Sequence, residues 1–128
     1  RHGSWLTPDR VNPVLHFLGK NQITYITADE PQYDSLATIP LLPDVTSDIA
    51  YFRFHGRNRE NWLKKGVETS ERYNYLYSES ELKGFIKPIR NTSKRAKSTF
   101  AMFNNCHGDS AVKNALRIKE LIKELPLN

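Results

Sequence analysis

Cysteine is almost missing from these 128 residues. Cys106 stands alone, which excludes an internal disulfide and leaves too few thiolates for a zinc cluster. One cysteine fits a reducing cytosol, so a cytoplasmic location is expected. Long apolar runs are missing too, and nothing is built to span a bilayer, so no membrane partner is expected. Internal repeats, low-complexity tracts and recognised nucleic-acid motifs are absent. Ser4 and Cys106 lie in no nucleophile elbow. The sequence neighbours Cys106 and His107 do not by that fact make a dyad. What remains is an ordinary soluble composition, 38% hydrophobic and 26% charged, enough for one modest domain.

Within that composition one pattern recurs. Ile23 to Ala28 closes on Asp29, Ile49 to Phe54 closes on His55-Gly56-Arg57-Asn58, and Phe100 to Phe103 closes on Asn104-Asn105-Cys106-His107-Gly108. A segment that is apolar until its last residues suits a parallel strand buried on both faces. Ligand-binding groups of such sheets stand at the carboxyl ends of the strands. Arg1-His2-Gly3-Ser4-Trp5 reads as the tail of a fourth such unit, so a fragment or processed product of a longer chain is expected.

Helices are read between the strands. Thr7-Pro8 offers a hydroxyl cap and a proline start, with Val11, Val14, Leu15 and Leu18 on one face, a kink or a shortened first part at Pro13, and a stop at Gly19 and Asn21. Ser78-Glu79-Ser80-Glu81 is a capping box, followed by Leu82, Phe85, Ile86 and Ile89, with Pro88 expected to bend the helix. Gly108-Asp109 opens a last helix whose buried stripe is read as Ala111, Val112, Ala115, Ile118, Ile122 and Leu125, ended by Pro126. The strands are placed at Gln22 to Ala28, Ile49 to His55 and Ser98 to Asn104. Residues 30–48 and 56–77 become long loops, of the kind that usually serve as lids or binding loops. Strands alternating with helices give a parallel α/β sheet with right-handed crossovers.

Charge is uneven. Residues 1–52 hold 3 Lys/Arg against 6 Asp/Glu, and residues 53–128 hold 16 against 8. The basic half favours an anionic ligand or nucleic acid. Lys83, Lys87, Lys94, Arg95, Lys97, Lys119 and Lys123 fit solvated helix surface, whereas Arg53, Arg57 and Arg59 crowd one strand end.

Taken in order, Arg1-His2-x-Ser4-Trp5, Ala28-Asp29, Arg53-Phe54-His55-Gly56-Arg57-Asn58, Arg72 to Tyr77, and Phe103-Asn104-Asn105 with Asn114-Ala115 resemble the YecE-like proteins, whose function is unknown. Gly3 stands where that family often has proline, Asn74 where it often has aspartate, and Cys106-His107 departs from its usual residues. The resemblance implies a (β/α)8 TIM barrel, of which residues 1–128 form one α/β unit: the C-terminal half, from the end of strand five through helix eight. A half barrel leaves strand edges and apolar faces open. Self-association or a missing N-terminal half is therefore expected, and the chain alone should be marginal or oligomeric.

The candidate centre follows from strand ends meeting at one rim. His55 and Asp29 are read as general base and acid, although Asp29 beside Glu30-Pro31 also reads as a loop cap. Arg53 and Arg57 bind an anion. Asn104 and Asn105 orient the substrate or tie loops to strand ends. Arg1, His2, Trp5 and Asn58 complete the substrate-binding set, with Trp5 a pocket wall. Among the tyrosines, Tyr75 and Tyr77 are read as loop anchors. His2, Asp29, His55 and His107 have the chemistry of metal ligands. No short-spacing motif joins them and no Glu is placed at a strand end, so no metal site is assigned, and no cofactor. The first reading is an enzyme (a hydrolase, lyase or isomerase) acting on a small phosphorylated or carboxylated substrate. The alternatives are a nucleic-acid-binding module on the basic half and a scaffold without chemistry.

Overall fold

The computed structural model describes residues 2–124. A 3-10 turn, Gly3–Trp5, leads to helix α1 (Val11–Lys20) and strand β1 (Ile26–Asp29). Strand β2 (Ile49–Phe54), two single-turn helices α2 (Arg59–Trp62) and α3 (Thr69–Arg72), helix α4 (Glu79–Ser93), strand β3 (Ser98–Phe103) and helix α5 (Ser110–Glu124) follow. The strands form one parallel sheet in the order β1-β2-β3. The expected α/β class and parallel pairing are present. The expected long loop at 56–77 contains α2 and α3.

Register fixes which side chains share a face, because neighbours alternate along a strand. Thr27 and Asp29 share a face with Phe52 and Phe54, and with Ala101 and Phe103. This face is covered by α4 and α5. Ala50, Phe52 and Phe54 pack with Leu82, Phe85, Ile86, Ile89, Ile118 and Leu121. The opposite face carries Ile26, Ala28, Tyr51, Arg53, Phe100 and Met102. Burial on both faces was expected of every strand, but Ile26, Phe100 and Met102 stay exposed. Among the described residues no layer lies over them.

Two local expectations change, at α1 and α5. Helix α1 begins at Val11 and not at the Thr7-Pro8 cap; its first part is shortened, so Pro13 falls in its first turn, where the missing N–H would have had no helical partner anyway. The Ser78 box forms as read, and α4 runs on through Pro88. Helix α5 is rotated from its expected stripe: Asn114, Ile118 and Leu121 are buried while Val112 and Ile122 are exposed. Asn114 turns inward with its amide bonded to the Tyr77 N–H and C=O. The expected positions Leu125 and Pro126 lie outside the described residues.

Candidate functional site

The carboxyl ends of the three strands carry two separate constellations, one on each face. On the helix-covered face Asp29 is 1% exposed. Its Oδ1 accepts from Arg57 Nη2 at 2.7 Å and Nε at 3.1 Å. Its Oδ2 accepts from Nε at 3.0 Å and from the Tyr77 hydroxyl at 2.6 Å. Arg57 Nη1 reaches Glu81 Oε1 at 3.2 Å, and Tyr75 donates to the same oxygen at 2.7 Å. The guanidinium also lies 5.3 Å from the Phe85 ring centre. Gly56 closes this arrangement. Its N–H donates to the Tyr77 hydroxyl at 2.8 Å. Its φ is +86°, and a Cβ there would come within 2.7 Å of the Tyr75 Cβ, so only glycine fits.

This network sets the protonation of its phenols. Burial, with the neighbouring Asp29 carboxylate, pushes the Tyr77 hydroxyl far above its ordinary range. Burial, followed by the bond to Glu81, raises Tyr75 to about 12. Burial, with Asp44 nearby, raises Tyr25 to about 12. A phenol with a raised folded pKa keeps its proton after the unfolded chain, at about 10, has lost it. Its contribution to stability is complete below pH 10 and disappears as pH climbs through about 12. A spectroscopic alkaline titration of the native protein should therefore show these three of the six tyrosines ionising late, together with unfolding.

The opposite face holds a different set. The parallel ladder continues past the strands, with His55 N–H donating to Asp29 C=O at 2.9 Å and Asn104 N–H to Phe54 C=O at 2.7 Å. Register then puts Glu30, His55 and Asn104 in one row across the sheet, each about 4.8 Å from the next strand. Arg53 lies two residues before His55 on the same face and donates from Nε to Asn104 Oδ1 at 3.0 Å. Among the described residues Arg53 has no carboxylate partner. His55 and Glu30 are both buried, and Glu30 Oε1 accepts from the Ile39 N–H at 2.9 Å. The His55 ring stands against Trp62 and Tyr73, at 6.2 and 5.9 Å between centres. Beside it opens a cavity of about 320 Å³ lined by Glu30, Ala37, Trp62, Arg72 and Tyr73.

The remaining candidates divide accordingly. Asp29 and Arg57 satisfy each other on the helix side, away from the row that holds His55, so the single rim expected for Asp29, His55, Arg57 and Asn104 becomes two. The strand-end carboxylate level with His55 is Glu30. It was passed over because β1 was expected to stop at Ala28, whereas it ends at Asp29. Asn58 serves the backbone, accepting from Asn61 N–H and donating to Glu71 and Asn74 carbonyls. Asn105 is fully buried and donates to Tyr75 C=O at 2.8 Å and Asn114 Oδ1 at 2.9 Å. That orientation leaves its Oδ1 without a partner among the described residues. His2 and Trp5 line a separate apolar groove of about 660 Å³ with Phe17, Leu18 and Tyr25. Arg1 lies outside the described residues. His107 pairs with Glu71, and among the described residues no three His, Cys, Asp or Glu side chains gather as metal ligands.

Much of the basic charge is met locally. Arg117 binds Glu79, Glu120 and Glu124, and Lys83, Arg95, Lys97 and Lys113 each face a carboxylate. No helix among the described residues is long and apolar enough to cross a membrane.

Comparison with known proteins gives one consistent answer. Residues 1–127 match the family described as "Protein of unknown function DUF72". The UPF0759 protein YunF of Bacillus subtilis (strain 168) is 30% identical over 125 residues, which is 95% of this chain and 44% of that protein. A DUF72 family crystal structure from Thermotoga maritima is 43% identical with a TM-score of 0.84, covering 97% of this chain and 44% of that one. A second, from Enterococcus faecalis V583, is 33% identical with a TM-score of 0.87, covering 100% and 46%. The chain thus spans a little under half the length of these relatives. Their shared designation is DUF72 or UPF0759, and not the YecE label suggested by the motifs. Matched almost from end to end by that family, the chain belongs to the DUF72 proteins of unknown function.

Proposed function

We propose that the row Glu30, His55 and Asn104, with Arg53 beside it, is the binding and proton-transfer centre of an enzyme acting on a small anionic substrate. The observation that carries this reading is the contrast between two arginines at the end of β2. Arg57 is occupied by Asp29 and Glu81. Among the described residues Arg53 is held through Nε by an uncharged amide, which leaves its Nη edge to grip a phosphate or carboxylate in fork geometry. His55 supplies an imidazole, whose two ring nitrogens can accept and donate a proton. Glu30, level with it, sets its orientation.

The same reading makes the three strands part of a (β/α)8 barrel. The face bearing Arg53, Tyr51, Phe100 and Met102 then turns to the barrel interior, and the row lies at its carboxyl-end mouth. The exposure of Ile26, Phe100 and Met102 supports it, since barrel interiors are filled by side chains from strands on both sides. The remaining strands would be supplied by a longer chain or by self-association. The pairing of so much basic surface with carboxylates argues against nucleic-acid binding as the main role.

Phosphate titration by calorimetry tests the proposal. Arg53→Gln should weaken binding about tenfold or more, the loss of one charge-assisted bond pair. Arg57→Gln, checked for native circular dichroism, should leave affinity unchanged. Equal loss in both variants, or none in Arg53→Gln, overturns the assignment.

A further inference from the structure

The sheet ends in two open edges, one on each side of the unit. In a parallel ladder alternate residues turn their N–H and C=O to one neighbouring strand, and the residues between them turn theirs to the other side. The Asp29 carbonyl accepts from His55, so Thr27 and Asp29 serve β2, and the backbone groups of Ile26 and Ala28 point away from it. The Phe54 carbonyl accepts from Asn104, so Ser98, Phe100 and Met102 serve β2, and the backbone groups of Thr99, Ala101 and Phe103 point outward. Among the described residues no strand lies beyond β1 or β3 and no backbone group meets these outward ones. Such edges are templates for pairing with another strand.

The helix layer is open at the same two ends, and the ends differ in shape. At the β1 end the groove of about 660 Å³ is lined by Trp5, Leu6, Val14, Phe17, Leu18 and Tyr25. At the β3 end Arg117 turns toward α4, where it binds Glu79, so the opposite flank of α5 looks past the open edge of β3. On that flank Ala111 and Ala115, one turn apart, are half-buried, and Ile122 is exposed. They belong to the apolar stripe that periodicity assigns to the core and that this unit leaves partly uncovered. Alanines let another element approach closely, and the groove with Phe17 and Trp5 at the other end supplies the bulk. The exposed area is of interface size. Trp5 is 64% exposed, Phe17 61% and Phe100 46%, and at about 150–250 Å² for a whole aromatic side chain these three give about 250–400 Å². A stable interface takes about 800 Å² from each partner, and the exposed Ile23, Ile26, Met102 and Ile122 add to the total along with the strand edges. We infer that a second copy of this chain covers both ends: its β3 lies parallel beside β1, the Ala111–Ala115 flank of its α5 seats in the groove against α1, and the exchange is reciprocal. A twofold axis along the strands keeps them parallel and makes the contact twice, so neither copy keeps an open edge. The inference stands on the sheet edges and not on the anion site, and it chooses between the two sources of further strands named above.

The chain as it stands should sediment as a dimer at micromolar concentration. Amide hydrogen exchange at Ala28 and Ala101 should be slow there and quicken on dilution to the monomer. Phe17→Glu alters the groove end and Ala115→Arg the α5 end. Each, with native circular dichroism, should weaken dimerisation about a hundredfold or more, because each damages both contacts. Mixing the two variants should restore dimers, since one of the two contacts then joins unaltered ends. A monomer at micromolar concentration overturns the proposal and gives the groove to a segment of another chain. So does a dimer that survives Ala115→Arg but not Phe17→Glu, in which like ends would meet. Failure of the mixture to dimerise, or assemblies that grow beyond two copies, overturns it as well. Should either variant lose its native circular dichroism, exchange in the unaltered chain decides: rates at Ala28 and Ala101 that do not change with concentration overturn the proposal.

Discussion

Asn114→Leu is expected to lower folding stability by roughly 3–5 kcal/mol, with a matching fall in the urea midpoint. Asn114 is buried in α5. Its Oδ1 accepts from Tyr77 N–H at 3.0 Å and from Asn105 Nδ2 at 2.9 Å, and its Nδ2 donates to Tyr77 C=O at 3.0 Å. Leucine has the same branched outline and is somewhat larger, so it opens no cavity, but it leaves the two Tyr77 backbone groups and one Asn105 N–H unpaired in the core. Each such group costs about 1–3 kcal/mol. The loss is large against a domain stability of about 5–15 kcal/mol. The pair Tyr77–Asn114 also links the start of α4 to α5, so hydrogen exchange should accelerate at Tyr77 in this variant. An unchanged urea midpoint would show that water or a rearranged loop satisfies these groups.

The second large effect belongs to Asp29. Asp29→Asn should cost about 2–3 kcal/mol. Breaking a buried ion pair from one side typically costs about 3–5 kcal/mol. Here the Arg57 side chain is 35% exposed, so solvent recovers part of that loss. Asparagine keeps the shape and an acceptor for Tyr77 but cannot return the charge to Arg57. Asp29→Leu combined with Arg57→Met should be less damaging than Asp29→Leu alone, since removing both charges leaves neither uncompensated. Phosphate affinity of Asp29→Asn should remain near that of the unaltered chain, because Asp29 lies on the helix side of the sheet. A marked loss of phosphate binding with a small stability change would reassign Asp29 to the ligand site.

The parallel α/β class was legible because apolar runs of strand length alternate with helical periodicity, and each run ends in polar residues. The α4 start was legible because a capping box is a local device: Ser78 and Glu81 satisfy each other's backbone groups within one turn. Helix α5 was misread by rotation. A stripe of Ala, Val and Ile is the hydrophobic choice, but the helix turns Asn114 inward and Val112 outward. Periodicity weighs apolarity alone and cannot see that the Tyr77 N–H and C=O and the Asn105 side-chain N–H meet an amide there.

The two-faced arrangement at the strand ends shows the same division. The residues themselves determined that His, Arg, Asn and carboxylate groups collect after short apolar strands, and that the chain resembles a family of unknown function. One residue of register decided the rest. With β1 ending at Asp29, that carboxylate faces α4 and takes Arg57, while Glu30 comes level with His55. Side chains alternate with a period of two, so a shift by one position moves a carboxylate from one face of the sheet to the other. No local pattern fixes that register. It is set by which strand lies beside which, and therefore by tertiary structure alone.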